Sequence, residues 1–258
     1  YLGVSDADIP LSRSVNVGRF YPDHFSLLSS TLDNACVAGN FSYMGQPLSL
    51  EYIVQAENLA GAITQNYDDD SLGWTPTATL SYQAENNNDG VERNIANRFT
   101  VNTLDWNQGV VAVSDPVASF LRKIGGYPED GPFMDLNVGL QLTDGLDSRL
   151  LQALDMDSGS NSDCVVATNC SAIKLGSPLR AYFGRMHLKD AFGPETADIP
   201  MFWQNEYWNG SRFIVNQADS CAALPVSNIT FTDSTAVDNS ANTIAVTNTA
   251  ITSDFQFF

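Results

Sequence analysis

The segment Arg180–Cys221 constrains the fold of this chain more than any other part of its sequence. It alternates apolar and polar residues, as a half-buried antiparallel strand requires, because successive side chains point to opposite faces of a sheet. The chain changes direction at Gly193-Pro194 and at Asn209-Gly210. Asn-Gly between two aromatic-rich runs predicts a hairpin, since both central residues of that tight turn need a positive φ. The segment is therefore predicted to be a well-defined β unit.

Shorter alternating segments, separated by turn residues, recur along the rest of the chain. They predict two strands joined at a turn around Gly45-Gln46-Pro47, a strand at Thr77–Gln83, a short strand at Gly109–Val113, and a hairpin of strands Ser119–Ile124 and Phe133–Thr143. Strand signals at intervals of roughly 8–15 residues are typical of a sandwich. We therefore expect an all-β, antiparallel β-sandwich with long loops and few or no helices, or two packed sandwich subdomains.

The same pattern suggests a division of the chain into two parts. Residues 1–224 are predicted to form the main β domain, with an alternative subdivision near residue 115, and residues 225–258 a C-terminal β extension. The extension ends in an apolar edge of period two, Phe255, Phe257 and Phe258. Such an edge is prone to pair with another strand. We expect it to add to a sheet, to pair with a partner or to continue into further chain.

Charge excludes several classes of partner. The chain carries 30 acidic and 12 basic residues, which gives a formal net charge of −18. A surface this acidic repels phosphate backbones and anionic lipids, so binding of nucleic acid is not expected. The sequence also lacks an apolar run close to the roughly 18–20 residues of a membrane helix, so no membrane insertion is expected in this segment.

Four cysteines, Cys36, Cys164, Cys170 and Cys221, permit three pairings. No CxxC motif is present and the chain has only two histidines, so a zinc site is poorly supported. Two disulfides in an oxidising compartment are the simpler interpretation. Cys164 and Cys170 are close enough to close a short loop, which leaves Cys36 to pair with Cys221, although spacing alone does not fix the connectivity.

An acidic loop before Cys164 suggests calcium as the one candidate cofactor. Asp155, Asp157 and Asp163 lie among serine and asparagine residues, with oxygen ligands at alternate positions. Calcium takes about six to eight oxygen ligands, which a short loop can supply. However, Gly159 stands where a third ligand is expected. The pattern favours a solvated loop closed by a disulfide, with calcium as the competing hypothesis.

The aromatic residues of the opening segment suggest a second candidate site. Trp203, Tyr207, Trp208 and Arg212 are the residues that could form a platform for a glycan. Flat rings stack on the apolar faces of sugars. Trp203 and Tyr207 nevertheless alternate with polar residues, as core-facing strand positions do, and the pattern favours packing over glycan contact.

Neither histidine suggests catalysis. His24 and His187 have no recognisable nucleophile motif around them, since GxSxG and HExxH are both absent from the sequence. Pairs of carboxylates are uninformative in a chain with 30 acidic residues. A structural role is expected for both histidines, and the chain is not expected to be an enzyme.

Seven motifs, in order, connect the chain to a known family: VGRFYPDHF, FSYMGQPLSL, QNYD, PEDGPF, LTDG, FGRMHLKDAFGPE and EYWNGSRFIVNQADSC. Over Val17–Cys221 the chain resembles the domain of unknown function in MshQ-like proteins, which are associated with biogenesis of the mannose-sensitive haemagglutinin (MSHA) type IV pilus of Gram-negative bacteria. Members usually continue beyond the cysteine that corresponds to Cys221 into a basic, aromatic motif. The sequence lacks that motif, so the resemblance leads us to expect a fragment or a divergent member.

The resemblance implies a large exported protein at the cell surface or pilus, with pilus or surface-assembly proteins as partners. The expected function is therefore non-enzymatic, in adhesion or pilus assembly. Two alternatives remain open: a secreted carbohydrate-binding or carbohydrate-active protein, and an extracellular filament subunit that assembles by strand addition. The family has no assigned catalytic residues to transfer to this sequence.

Overall fold

The structure is a computed structural model that describes residues 21–69, 76–86, 98–100, 105–123, 129–157, 164, 170–194, 201–222 and 255–257. Every regular element in these residues is a β-strand. The strands are β1 (His24–Asp33), β2 (Ser42–Tyr43), β3 (Leu48–Glu57), β4 (Ala78–Asn86), β5 (Phe99–Thr100), β6 (Val110–Phe120), β7 (Phe133–Asp144), β8 (Ile173–Lys174), β9 (Leu179–Tyr182), β10 (Gly184–Leu188), β11 (Met201–Trp208), β12 (Phe213–Val215) and β13 (Phe255–Phe257). The predicted all-β class is confirmed.

The strands form three sheets. The first has the order β1-β3-β6-β5, and the second has the order β2-β9-β7-β4 with β8 also paired to β7. In the third, β11 lies between β10 on one side and β12 and β13 on the other. All strand pairs are antiparallel except β2 and β9, which are parallel.

The first two sheets enclose the main core, as expected of a sandwich. Strand β3 alternates between buried and more exposed positions and contributes Leu50, Tyr52 and Val54 to the core, while β7 contributes Leu136 and Leu140. Burying apolar area at about 25 cal/mol per Å² is the main favourable term in such packing. A hydrogen bond of 2.7 Å between the hydroxyls of Tyr52 on β3 and Tyr82 on β4 links the two sheets.

The predicted strand before the PEDGP turn does not exist as a separate element. Ser119 and Phe120 are instead the last residues of β6, and β6 and β7 belong to different sheets, so the predicted hairpin is wrong. Strand β6 continues through Pro116, which separates the two predicted segments in the sequence. The register between β3 and β6 shifts at this proline, because the three residues from Leu48 to Leu50 face the four from Ala118 to Asp115. A bulge accommodates a proline that a regular ladder would not.

The strands on either side of Gly45-Gln46-Pro47 are present, but they are not partners. Strand β2 pairs with β9 in the second sheet, while β3 lies in the first. Residue 115, where the sequence suggested an alternative boundary, lies within β6. Residue 224, the predicted end of the main domain, lies outside the described part of the chain.

Two disulfides join the predicted pairs of cysteines, Cys36 with Cys221 and Cys164 with Cys170. The first spans 185 residues and the second spans six. Two disulfides are compatible with an exported protein. No helix among the described residues is long and apolar enough to cross a membrane.

His24, at the start of β1, lies between two carboxylates. Its Nδ1 is 3.0 Å from Asp23 Oδ2, and its Nε2 is 2.9 Å from Glu57 Oε2. Burial alone lowers the pKa of His24, but hydrogen bonds and charge interactions with both carboxylates outweigh burial and raise it above 6.5. The protonated form is therefore the one that the folded state stabilises.

This arrangement of His24 predicts that the free energy of unfolding falls as the pH rises through the raised pKa of His24. A histidine with a raised folded pKa contributes fully below its unfolded pKa and loses that contribution as the pH rises through the folded pKa. Each unit of difference between the folded and unfolded pKa values corresponds to about 1.4 kcal/mol of unfolding free energy. In urea unfolding between pH 6 and pH 8.5, we expect the free energy of unfolding to fall with rising pH, and His24→Gln to flatten this dependence. His187→Gln, which leaves the contacts of His24 intact, is the control. A wild-type profile that is flat in this range would contradict the assignment.

Candidate binding edge on the third sheet

The third sheet places one strand, β10, at an edge. Its partner β11 pairs with it in a regular register from Gly184 opposite Tyr207 to Leu188 opposite Trp203. On the other side of β11, β12 pairs with Tyr207 and its two neighbours, while β13 pairs with residues 201–203. Of the alternatives expected for the C-terminal extension, residues 255–257 pair with a sheet of the same chain.

The hairpin from β11 to β12 is present, but its turn differs from the predicted one. The loop holds four residues, 209–212, and is closed by a hydrogen bond of 3.0 Å from Asn209 N to Arg212 O. Gly210 has a φ of 98°, and the Asn209 side chain accepts hydrogen bonds from the backbone N–H groups of Ser211 and Arg212. This Asx-type bonding replaces the two-residue turn that Asn-Gly usually forms.

A glycine at the start of β10 allows the third sheet to approach the second closely. A Cβ atom at Gly184 would lie 2.2 Å from the ring of Tyr43, which leaves no room for a side chain. Next to it, the rings of Tyr182 and Tyr207 stack with centroids 4.3 Å apart. The FGR motif thus requires its glycine for packing, and β10 is held as an edge strand beside β2 and β9.

Strand β10 presents two chemically different faces, and both are exposed. Odd positions carry the basic side chains of Arg185 and His187, followed by Lys189 directly after the strand, and even positions carry Met186 and Leu188. Met186 is 53% exposed and Leu188 is 50% exposed. A strand with one buried face would hide one of these two sets. Further along, the side chain of Phe192 is 93% exposed.

A buried carboxylate from β11 holds the basic face in place. Glu206 is 5% exposed, and its Oε2 lies 2.6 Å from a terminal guanidinium nitrogen of Arg185. Its Oε1 accepts a hydrogen bond of 2.7 Å from Gln204 and lies 3.1 Å from His187 Nδ1. Burial alone raises the pKa of Glu206, but the hydrogen bonds from these three neighbours outweigh it and bring the pKa below 4.5.

The backbone groups of β10 divide between β11 and the outer edge. Phe183 O accepts a hydrogen bond from Trp208 N, and Lys189 N donates one to Phe202 O. Since bonded pairs alternate along an antiparallel ladder, residues 185 and 187 also face β11, and the N–H and C=O groups of Met186 and Leu188 point outward. Arg122 donates a hydrogen bond to Gly184 O, which occupies the first outward carbonyl.

The edge of β10 differs from that of β1, which is protected. Strand β1 has a register shift between Leu27 and Ser29, and Phe25 forms a parallel bridge with Leu151. Bulges and covering segments are the usual means of blocking an edge. Within the described ranges, β10 has neither, and β11 is the one described strand that pairs with it.

The four residues of the predicted glycan platform do not come together on one surface. Trp203 is 2% exposed, and Tyr207 is half-buried against Tyr182. Trp208 lies on the opposite face of β11 from these two, where its ring contacts Phe213 at 5.4 Å, and Arg212 lies in the exposed loop. Alternation along a strand explains this separation. Glycan binding stays a prediction.

The residues of the predicted calcium site are only partly described. Asp155 and Asp157 lie within the described part of the chain, and Asp163 lies outside it. One oxygen of Asp155 accepts a hydrogen bond of 2.8 Å from Lys174 N. No group of three His, Cys, Asp or Glu side chains in the described residues could hold a metal ion. Calcium binding also stays a prediction.

Sequence reasoning missed the role of Asp219 in the NQADSC motif. Its Oδ1 accepts hydrogen bonds from the backbone N–H groups of Cys221 and Ala222, and its Oδ2 accepts them from Tyr43 and Asn205. This buried carboxylate connects β2, β11 and the disulfide to Cys36. The sequence did contain one signal for this role, an Asp two residues before a cysteine. An Asp side chain readily accepts hydrogen bonds from backbone N–H groups two or three residues further along the chain.

These features define a disulfide-linked, antiparallel β protein with an open, amphipathic strand at the edge of its third sheet. Two family models match the chain: DUF6701, third domain, over residues 1–171, and DUF6701, fourth domain, over residues 182–257. The chain belongs to the DUF6701 family. The third sheet lies entirely within the second match. No curated protein and no solved structure shows a significant match to the chain.

Proposed function

We propose that this chain is a non-enzymatic part of an exported surface protein associated with a type IV, MSHA-like pilus, and that it acts in adhesion or pilus assembly. The single observation that carries the proposal is the open edge of β10, because unprotected edge strands bind extended segments of other proteins. The two disulfides and the resemblance to MshQ-like proteins support export and the link to the pilus.

The chemistry of the third sheet suits binding. Its two buried carboxylates, Glu206 and Asp219, are both used to hold neighbouring side chains or backbone. Proteins that assemble through strands need a rigid sheet that fixes the edge, and Gly184 and the Tyr182–Tyr207 stack fix this one. Carbohydrate binding and self-assembly into filaments remain the alternatives. For self-assembly, the strand that would be donated, β13, is paired with β11 of the same chain.

Electron microscopy of cells tests this proposal. The protein, tagged within this chain and expressed in a Gram-negative host with an MSHA-type pilus locus, should be labelled by immunogold at the cell surface or on pili. Deleting the major pilin should remove or redistribute the label. A matched strain that carries an unrelated exported tagged protein controls for non-specific surface labelling. Label confined to the cytoplasm, with four free thiols, would refute export and the proposed function.

A further inference from the structure

The sequence of β10 alternates strictly between two chemistries along an open edge. The residues from Arg185 to Lys189 read basic, apolar, basic, apolar, basic, and all five are exposed. Arg122 adds a further exposed cation beside Gly184. The chain as a whole carries a net charge of −18, so these basic residues are opposite in sign to the net charge of the chain.

A second copy of β10 is a poor partner for this edge. In an antiparallel pair whose outward bonds come from even-numbered residues, odd positions of one strand face odd positions of the other. All odd positions, Arg185, His187 and Lys189, are basic. Like charges directly opposite each other are destabilising. Such registers therefore place Arg185 or Lys189 of one copy opposite a basic residue of the other, whereas a strand with acidic residues at these positions would pair favourably.

We propose that the β10 edge binds an extended segment of a partner polypeptide in which acidic and apolar residues alternate. Backbone groups of Met186 and Leu188 form the ladder with the bound strand. Carboxylates of the partner face Arg185 and Lys189, and its apolar side chains cover Met186 and Leu188. This inference rests on the proposed function for its biological setting, since it states what kind of assembly partner the edge accepts.

The two faces have separate roles in this recognition. Backbone hydrogen bonds supply affinity without regard to sequence, and side chains at alternate positions supply specificity. Glu206 already holds Arg185 and offsets part of its charge, so the partner's carboxylates act on a pre-oriented, partly compensated guanidinium and on Lys189. Electrostatic complementarity of this kind controls partner choice and association rate, and salt weakens it.

Synthetic peptides test the inference on the purified, disulfide-bonded chain. The probes are a fluorescent seven-residue peptide of alternating glutamate and valine and a matched peptide of alternating lysine and valine, with binding followed by anisotropy. We expect the acidic peptide to bind at least 10-fold more tightly than the basic one at low salt. Equal binding of both peptides, or no binding of the acidic one, would overturn the inference.

Two substitutions at Met186 distinguish the contribution of its backbone N–H to binding from that of its side chain. Met186→Pro removes the outward N–H of residue 186, and proline is tolerated on the free side of an edge strand. We expect it to weaken binding of the acidic peptide at least 10-fold, whereas Met186→Ala, which keeps the N–H, weakens it only about 2- to 3-fold. Lys189→Glu should reduce the preference for the acidic peptide. Undiminished binding by Met186→Pro would contradict strand addition.

A peptide-side test covers the case in which Met186→Pro fails to fold. The acidic peptide, N-methylated at alternate residues on one edge only, should lose binding to the wild-type chain when the methyl groups lie on the edge that pairs with β10. Methylation of the other edge is the control. Retained binding by both methylated peptides would rule out the ladder. If the acidic peptide does not bind while immunogold label is found at the cell surface, only this inference is refuted. Label confined to the cytoplasm would refute the proposed function instead.

Discussion

Replacing both Cys36 and Cys221 by alanine should lower the free energy of unfolding by about 5 kcal/mol. A disulfide restricts the unfolded chain, and in the chain-entropy model the effect grows with the logarithm of the closed loop. The Cys36–Cys221 bond spans 185 residues, almost the whole described chain before β13. Urea unfolding of the oxidised protein and of the double variant measures the difference directly.

The position of this disulfide makes the loss structural as well as entropic. Cys36 is fully buried beside Phe41 and Tyr182, and the ring of Tyr182 stacks on Tyr207 of β11. Asp219, two residues before Cys221, accepts a hydrogen bond of 2.9 Å from the Tyr43 hydroxyl. Loss of the disulfide therefore releases the segment that attaches the third sheet to the second, and the amide hydrogens of β11 should exchange faster.

The Cys164–Cys170 bond provides a matched control. It spans only six residues, so the same model gives a loss of about 2 kcal/mol for the alanine pair. The informative quantity is the ratio of the losses in unfolding free energy of the two double variants, because each variant removes one disulfide and two sulfur atoms. Equal losses for the two pairs would show that loop length does not control the stability of this protein.

The sequence allowed prediction of strands wherever local alternation is strong. The alternating segment Thr77–Gln83 overlaps β4 from Ala78 onward, and Phe133–Thr143 corresponds to β7. The start of β4 alternates because one of its faces is more exposed, whereas β7 is buried continuously from Leu136 to Leu140. The sequence did not show that β6 continues through Pro116. The register shift at this proline depends on the pairing of β6 with β3, which the local sequence of β6 does not reveal.

Sheet membership was not predictable, because it depends on contacts between distant segments. Ser42–Tyr43 is followed by turn residues and a strand, which locally resembles a hairpin, yet β2 pairs in parallel with residues 181 and 182. The close contact of Tyr43 with Gly184 is part of this arrangement. Neither partner carries a mark in the sequence that identifies the other.

The candidate binding edge was visible in the sequence only as an alternating segment. Arg185–Lys189 reads like any half-buried strand, and its two exposed faces follow from its position at the end of the third sheet. Likewise, the aromatic residues 203, 207 and 208 looked like one cluster, but strand geometry places the last on the opposite face. Exposure is a tertiary property, and it decides whether an alternating strand is scaffold or binding surface.

Trp203→Ala should destabilise the fold by about 3–5 kcal/mol, the usual cost of removing a buried Trp side chain. Trp203 is 2% exposed. It lies opposite Leu188 of β10 and Phe255 of β13, at the point where three strands of the third sheet meet. Removal of the indole leaves a cavity in the centre of this sheet, and urea unfolding should show a lower transition midpoint.

Trp208→Ala is the comparison that separates packing from ligand contact. Trp208 is only half-buried, and its ring centroid lies 5.4 Å from that of Phe213. Its removal should therefore cost clearly less unfolding free energy than removal of Trp203. A glycan array with both variants completes the test. If Trp203→Ala kept wild-type stability and lost binding to a glycan that the wild type recognises, then Trp203 would be a ligand contact. The predicted large loss of stability instead assigns it to the sheet that positions β10.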